Sequence, residues 1–139
     1  MKTLSSTCLF CLLVSFSALG QQLYVNEIMA SNSHTLADNS GSYEDWIEIY
    51  NPNSFTVNIA GYYITDNLSN HTKSQFPTGS SQTIIPANGY KIIWASEVPS
   101  RGPLHANIKL SAGGEAVGLY RPDGSTVDEV TFGAQRTDV

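Results

Sequence analysis

The stretch "SYEDWIEIYNPNS", Ser42 to Ser54, sets Glu44, Asp45 and Glu48 around Trp46. Residues of these types support three chemistries. Two carboxylates facing across a cleft, roughly 5 to 9.5 Å apart, hydrolyse glycosidic bonds. Carboxylates and carbonyls at close spacing hold a hard cation such as calcium. An indole beside acids offers a sugar a stacking surface with hydrogen-bonding groups around it. The competing reading is plainer: the acids form the solvated face of a β-strand.

Alternation separates these possibilities. In a strand, successive side chains point to opposite faces. Asp45, Ile47 and Ile49 then share one face, and Trp46, Glu48 and Tyr50 the other. Ile47 and Ile49 give the simplest core face. Trp46 and Tyr50 flank Glu48 on a second face that is amphipathic or covered by a loop. Glu44 and Asp45 straddle the strand start and diverge, so the stretch does not supply a hydrolytic pair. Glu27, Asp38 or Asp66 could provide a partner, but no spacing singles one out.

Other clusters give weaker signals. "DNSGSYED", Asp38 to Asp45, is rich in oxygen ligands. An EF-hand, however, needs glycine at its sixth position, and Gly41 is the fourth residue from Asp38. The simpler account is a solvated Asx-turn loop. Tyr62, Tyr63, Tyr90, Trp94 and Tyr120 could form a sugar-stacking platform, although strands hold aromatic residues mainly because they pack well on a pleated surface. No G-x-S-x-G is present, and no Ser, His and Asp set is distinguished by spacing. "NLS" at Asn67 and "NHT" at Asn70 are N-glycosylation sequons and mark an exposed loop. The sequence assigns no catalytic, cofactor-binding or metal-ligating residue, and no cofactor is expected.

The elements that position these residues follow a leader. Lys2, the apolar run "LFCLLVSF" (Leu9 to Phe16) and the small residues "SALG" (Ser17 to Gly20) read as a signal peptide over residues 1–20, with Gln21 starting the mature chain. The apolar run is too short for a confident bilayer span. Cys8 and Cys11 form a C-x-x-C inside that leader, so both sulfurs leave with it. Of the 7 basic and 12 acidic residues, only Lys2 lies in the leader, so the remainder carries a net charge of −6. That balance opposes nucleic acid and anionic membranes. The mature protein is expected to be secreted or at the cell surface, without membrane insertion.

After Gln22, short β-branched and aromatic runs recur between Asn, Gly, Pro, Ser and Asp, the rhythm of an all-β sandwich or barrel. The expected strands are Gln22–Ala30, Asp45–Tyr50, two short pieces around Gly61, an extended "QFP", and a strand-turn-strand in "QTIIPANGYKIIWAS". Ser31–Ser42 is a polar loop long enough to be functional or mobile. Glu115–Tyr120 and Thr126–Phe132 form a hairpin about a type I turn at Pro122–Gly124. Val117 and Leu119 share one face of it, and Val130 and Phe132 another. Val127 breaks the alternation and suggests a bulge near Asp128 and Glu129.

Taken in order, "YVNEIMASN", "EDWIEIYNPNSFTVNIAGYYITD", "IPANGYKIIWAS", "LHANIKLSAGGEAVGLYRPDGSTVDEVTFG" and "QRTD" resemble the lamin tail domain family in its bacterial, secreted form. The resemblance covers Leu23 to Val139. It implies an immunoglobulin-like β-sandwich over residues 21–139 with no catalytic residues of its own, accompanying larger exported or cell-surface proteins. The chain stops at Val139, where such members continue, so a C-terminally truncated domain is expected. The function expected is a non-catalytic binding or structural module, presenting loops and an edge strand to a protein or glycan partner. Its alternatives are a calcium- or carbohydrate-binding module, or the N-terminal fragment of an exported enzyme.

Overall fold

The computed structural model describes residues 21–139. The expected leader and its two cysteines lie outside the described residues.

Ten strands follow in chain order: β1 Tyr24–Met29, β2 Asp45–Tyr50, β3 Val57–Asn58, β4 Tyr63–Thr65, β5 Ser74–Gln75, β6 Ile84–Ile85, β7 Tyr90–Ala95, β8 His105–Ala106, β9 Glu115–Tyr120 and β10 Thr126–Phe132. One sheet has the order β1-β2-β7-β8, a second β10-β9-β4-β5, and β3 and β6 form a small ribbon. This is the all-β architecture that the strand rhythm predicts and the immunoglobulin-like sandwich that the resemblance implies. β2 and the hairpin strands end where the sequence places them. The three elements not foreseen are short: 3-10 turns at Ser81–Thr83 and Pro99–Arg101, and β8, which pairs in parallel with β7.

The core follows from alternation. Ile47 and Ile49 on β2, Ile93 on β7, Ile64 on β4, and Val117 and Leu119 on β9 are all fully buried between the sheets. Gly61 and Gly124 take left-handed conformations (φ 79° and 85°) at the turns where β-carbons would be strained. The bulge expected near Asp128 and Glu129 falls just before them, at Val127, as a register shift between Thr126 and Asp128. The two apolar pairs of the hairpin do not occupy separate faces. Val117 stands directly opposite Val130, so both pairs look inward, and Val130 and Phe132 pack against the core.

The free edge of β1 is already occupied. The Asp128 carboxylate accepts from Val25 N at 2.8 Å. Gln135 accepts from Ala30 N at 2.7 Å through Oε1 and donates to Ile28 O at 2.8 Å through Nε2, so its amide imitates a neighbouring strand. At Val25, Ile28 and Ala30 the backbone groups that a partner strand would need on this edge are already spent.

Candidate functional site

Two surfaces gather the polar and aromatic residues. The first is the end of the sandwich where the Ser31–Ser42 loop meets the Pro99–Arg101 turn. Asp38 Oδ1 accepts from Ser40 N (2.8 Å), Ser40 Oγ (2.7 Å) and Ser42 N (2.9 Å). Its side chain is fully buried, and Oδ2 lies 3.4 Å from Arg101 Nη1. Arg101 also donates to Glu44 Oε1. Glu44 and Asp45 diverge as alternation requires, since Asp45 Oδ1 accepts from Asn32 N at 3.0 Å. Glu44 is nevertheless a paired residue rather than a free loop acid. Arg101 already sits where a cation would balance Asp38 and Glu44, and the serines use the oxygen that a metal would need.

Charge and burial oppose each other at Asp38. Burial pushes its carboxyl up, but the Ser40 and Ser42 bonds and the nearby His105 outweigh it and hold the group below the ordinary carboxylate range. For Asp45 burial prevails over the bond from Asn32 and raises it. Burial lowers His105, against the pull of Asp38.

The fold also brings together Ser96, His105 and Asp38, a set the sequence spacing did not reveal. Ser96 Oγ is 3.0 Å from His105 Nδ1, and His105 Nε2 is 3.9 Å from Asp38 Oδ2. The second distance is too long for a hydrogen bond. Ser96 is buried and accepts from Val98 N at 3.3 Å. Two cavities, about 340 Å³ and about 160 Å³, lie against His105, Gly102 and Pro103, but Ser96 lines neither. The arrangement is therefore a buried link that fastens the end of β7 to β8, with its hydroxyl lining neither cavity.

Two further residues anchor the long loop. Asn32 Nδ2 donates to Leu36 O (2.6 Å) and Glu44 O (2.7 Å), while its Oδ1 accepts from Thr35 N at 3.1 Å. Asp138 accepts from Ser33 N (2.7 Å), Ser33 Oγ (2.5 Å), His34 N (2.9 Å) and Thr35 Oγ1 (3.1 Å). The Ser33 and His34 bonds hold the Asp138 carboxyl well below its usual range. The role of Asp138 was not legible in the sequence, because it joins segments that only the fold makes neighbours, whereas Asn32 bonds within its own loop and was simply not singled out.

The second surface is the outer face of the β1-β2-β7-β8 sheet. The registers place Met29, Trp46, Trp94 and His105 in one row, Glu27, Glu48 and Ile92 in the next, and Tyr24, Tyr50 and Tyr90 in a third. Met29, Trp46 and Trp94 form a satellite apolar cluster against Ile92 and Leu104. Trp46 Nε1 is the one fully buried side-chain nitrogen or oxygen among the described residues with no hydrogen-bond partner. Tyr50 and Tyr90 stack, with ring centroids 4.7 Å apart.

The aromatic set proposed from sequence does not assemble into a platform. Tyr62, Trp94 and Tyr120 are buried, and Tyr120 donates to Glu129 Oε1 at 2.6 Å. Of that set, Tyr90 alone belongs to the exposed tyrosine row. Tyr24 and Tyr50 were missed because cross-strand register, not composition, makes them its neighbours.

Among the described residues no helix is long and apolar enough to cross a membrane. The family model of the Lamin Tail Domain matches residues 17–134. That span begins inside the expected leader and stops one residue before Gln135. No curated protein and no solved structure matched the chain.

Proposed function

The chain belongs to the lamin tail domain family, and from that premise we propose that it is an exported, non-catalytic module that makes contacts with a partner for a larger surface assembly. The observation that carries this reading is the exposed tyrosine row on the outer sheet face. Tyr24 and Tyr90 remain 44% and 53% exposed, while the polar cluster at the loop end is consumed by its own ion pairs and hydrogen bonds. Large aromatic side chains left in solvent on a rigid sheet are the groups that dominate recognition surfaces. The signal-peptide pattern of residues 1–20 supports export.

The rival reading is hydrolytic, and Ser96, His105 and Asp38 are the residues it would use. The purified protein should turn over no ester, peptide, glycosidic or phosphodiester substrate in a broad panel. Turnover that disappears on Ser96→Ala, or on Glu48→Gln, would overturn the non-catalytic reading.

A further inference from the structure

We propose that the outer face of the β1-β2-β7-β8 sheet docks an extended, arginine-bearing segment of a partner protein, a proposal that rests on the binding-module reading above. Its geometry begins with the tyrosine row. Tyr24, Tyr50 and Tyr90 stand directly opposite one another across three adjacent strands. The Tyr50 and Tyr90 planes are inclined by 26° and stack, so the two rings face each other along the row. β8 pairs with β7 only at Trp94 and Ala95, so no neighbouring strand runs beside Tyr90 on that side. Tyr90 therefore offers a largely exposed ring to a planar group.

The charge of that group follows from the adjoining row. Glu27 stands directly opposite Glu48. Like charges at directly opposed positions destabilise a sheet. Among the described residues no lysine, arginine or histidine forms a salt bridge with either acid; all five such contacts lie elsewhere. Glu48 receives one neutral bond, from Asn26 Nδ2 at 2.9 Å. The face thus sets two uncompensated carboxylates one row from exposed aromatic rings, on a chain that is acidic overall.

Arginine matches both features. Its guanidinium is flat enough to stack on a tyrosine and forked enough to donate two parallel bonds to a carboxylate. Adjacent outward-facing rows are about 6.5–7 Å apart along a strand. One extended segment can therefore place a side chain on the tyrosines and another on the acids. A neutral glycan could stack on Tyr90 but would bring no positive charge to Glu27 and Glu48.

Fluorescence anisotropy with a labelled arginine-glycine-proline repeat peptide tests this, beside lysine and glutamate versions of the same repeat. The arginine peptide should bind saturably and more weakly as salt rises. The lysine version should bind several-fold more weakly, and the glutamate version not at all. Tyr90→Ala and Glu48→Gln should each weaken arginine-peptide binding by about tenfold. Glu97→Gln, which removes the same charge from an exposed position elsewhere, should change it less than about twofold. Thermal melts of the three variants confirm that each is folded.

Absence of saturable binding overturns the proposal. So does a Glu97→Gln effect equal to that of Glu48→Gln, which would mean attraction to overall acidity. Glycan binding lost on Tyr90→Ala, with no peptide binding, would assign the face to sugar instead. None of these results bears on the non-catalytic reading, which falls only if turnover is found.

Discussion

Replacing Asp38 by alanine tests whether the loop before β2 is a structural joint. The substitution removes three hydrogen bonds to one carboxylate oxygen and one partner of Arg101. Bonds to a charged acceptor contribute about 1.5–3 kcal/mol each, so the gross loss is several kcal/mol. Ser40 is exposed and Ser42 half-buried, so water recovers part of it. Arg101 keeps Glu44 as a partner. The expected net cost is about 2–4 kcal/mol, close to that of breaking a buried pair. For a domain of this size that lowers Tm by about 8–16 °C. Asp38→Asn retains an acceptor for the serines but sets a neutral amide against Arg101, and should cost about 1–2 kcal/mol.

The same residue predicts a pH signature. Its folded pKa lies below the ordinary 3.8, so its contribution is complete above that value. The contribution is lost as pH falls through the lower folded pKa, because the unfolded chain takes up the proton first. Calorimetric melts at pH 7 and down the acid limb read both effects. A Tm for Asp38→Ala within about 2 °C of the wild type would refute the reasoning. A calcium-dependent rise in the wild-type Tm would show that the loop prefers a metal to Arg101.

Three further outcomes follow from the packing. His105 is held below its ordinary pKa of 6.5, so the wild type should lose stability as pH falls from 6.5 towards the lower folded value, where only the unfolded chain protonates. His105→Gln should flatten that slope in urea titrations between about pH 7 and 5. Gln135→Ala strips the side-chain cap from Ala30 N and Ile28 O and should cost about 1–3 kcal/mol, with faster amide exchange at Ala30. Ile49→Ala empties a fully buried site and should cost about 2–5 kcal/mol in denaturant unfolding.

Much of the fold was legible because it is local. Period-two alternation in "DWIEIY" put Ile47 and Ile49 on one face and Trp46 on the other, and the structure buries the isoleucines in the main core and Trp46 in the separate outer-face cluster. Pro122 to Gly124 fixed the hairpin turn, and the interruption at Val127 marked the bulge. The candidate surfaces were legible only in part. Asp38 and Glu44 drew attention as possible ligands, yet their partners Arg101 and His105 lie some sixty residues away in the chain.

By itself the sequence determined the positions of the longer strands, the faces of β2 and the hairpin turn, since these depend on side-chain period and on the backbone preferences of glycine and proline. It also determined the family resemblance and the acidic balance. The tertiary structure alone decided which side chains meet. It spent Asp38 on serines and an arginine, turned Ser96 inward, closed the β1 edge with Gln135, and aligned Tyr24, Tyr50 and Tyr90. Each of these follows from register and loop packing, where residues distant in sequence compete for the same few ångströms, and no period along the chain encodes that outcome.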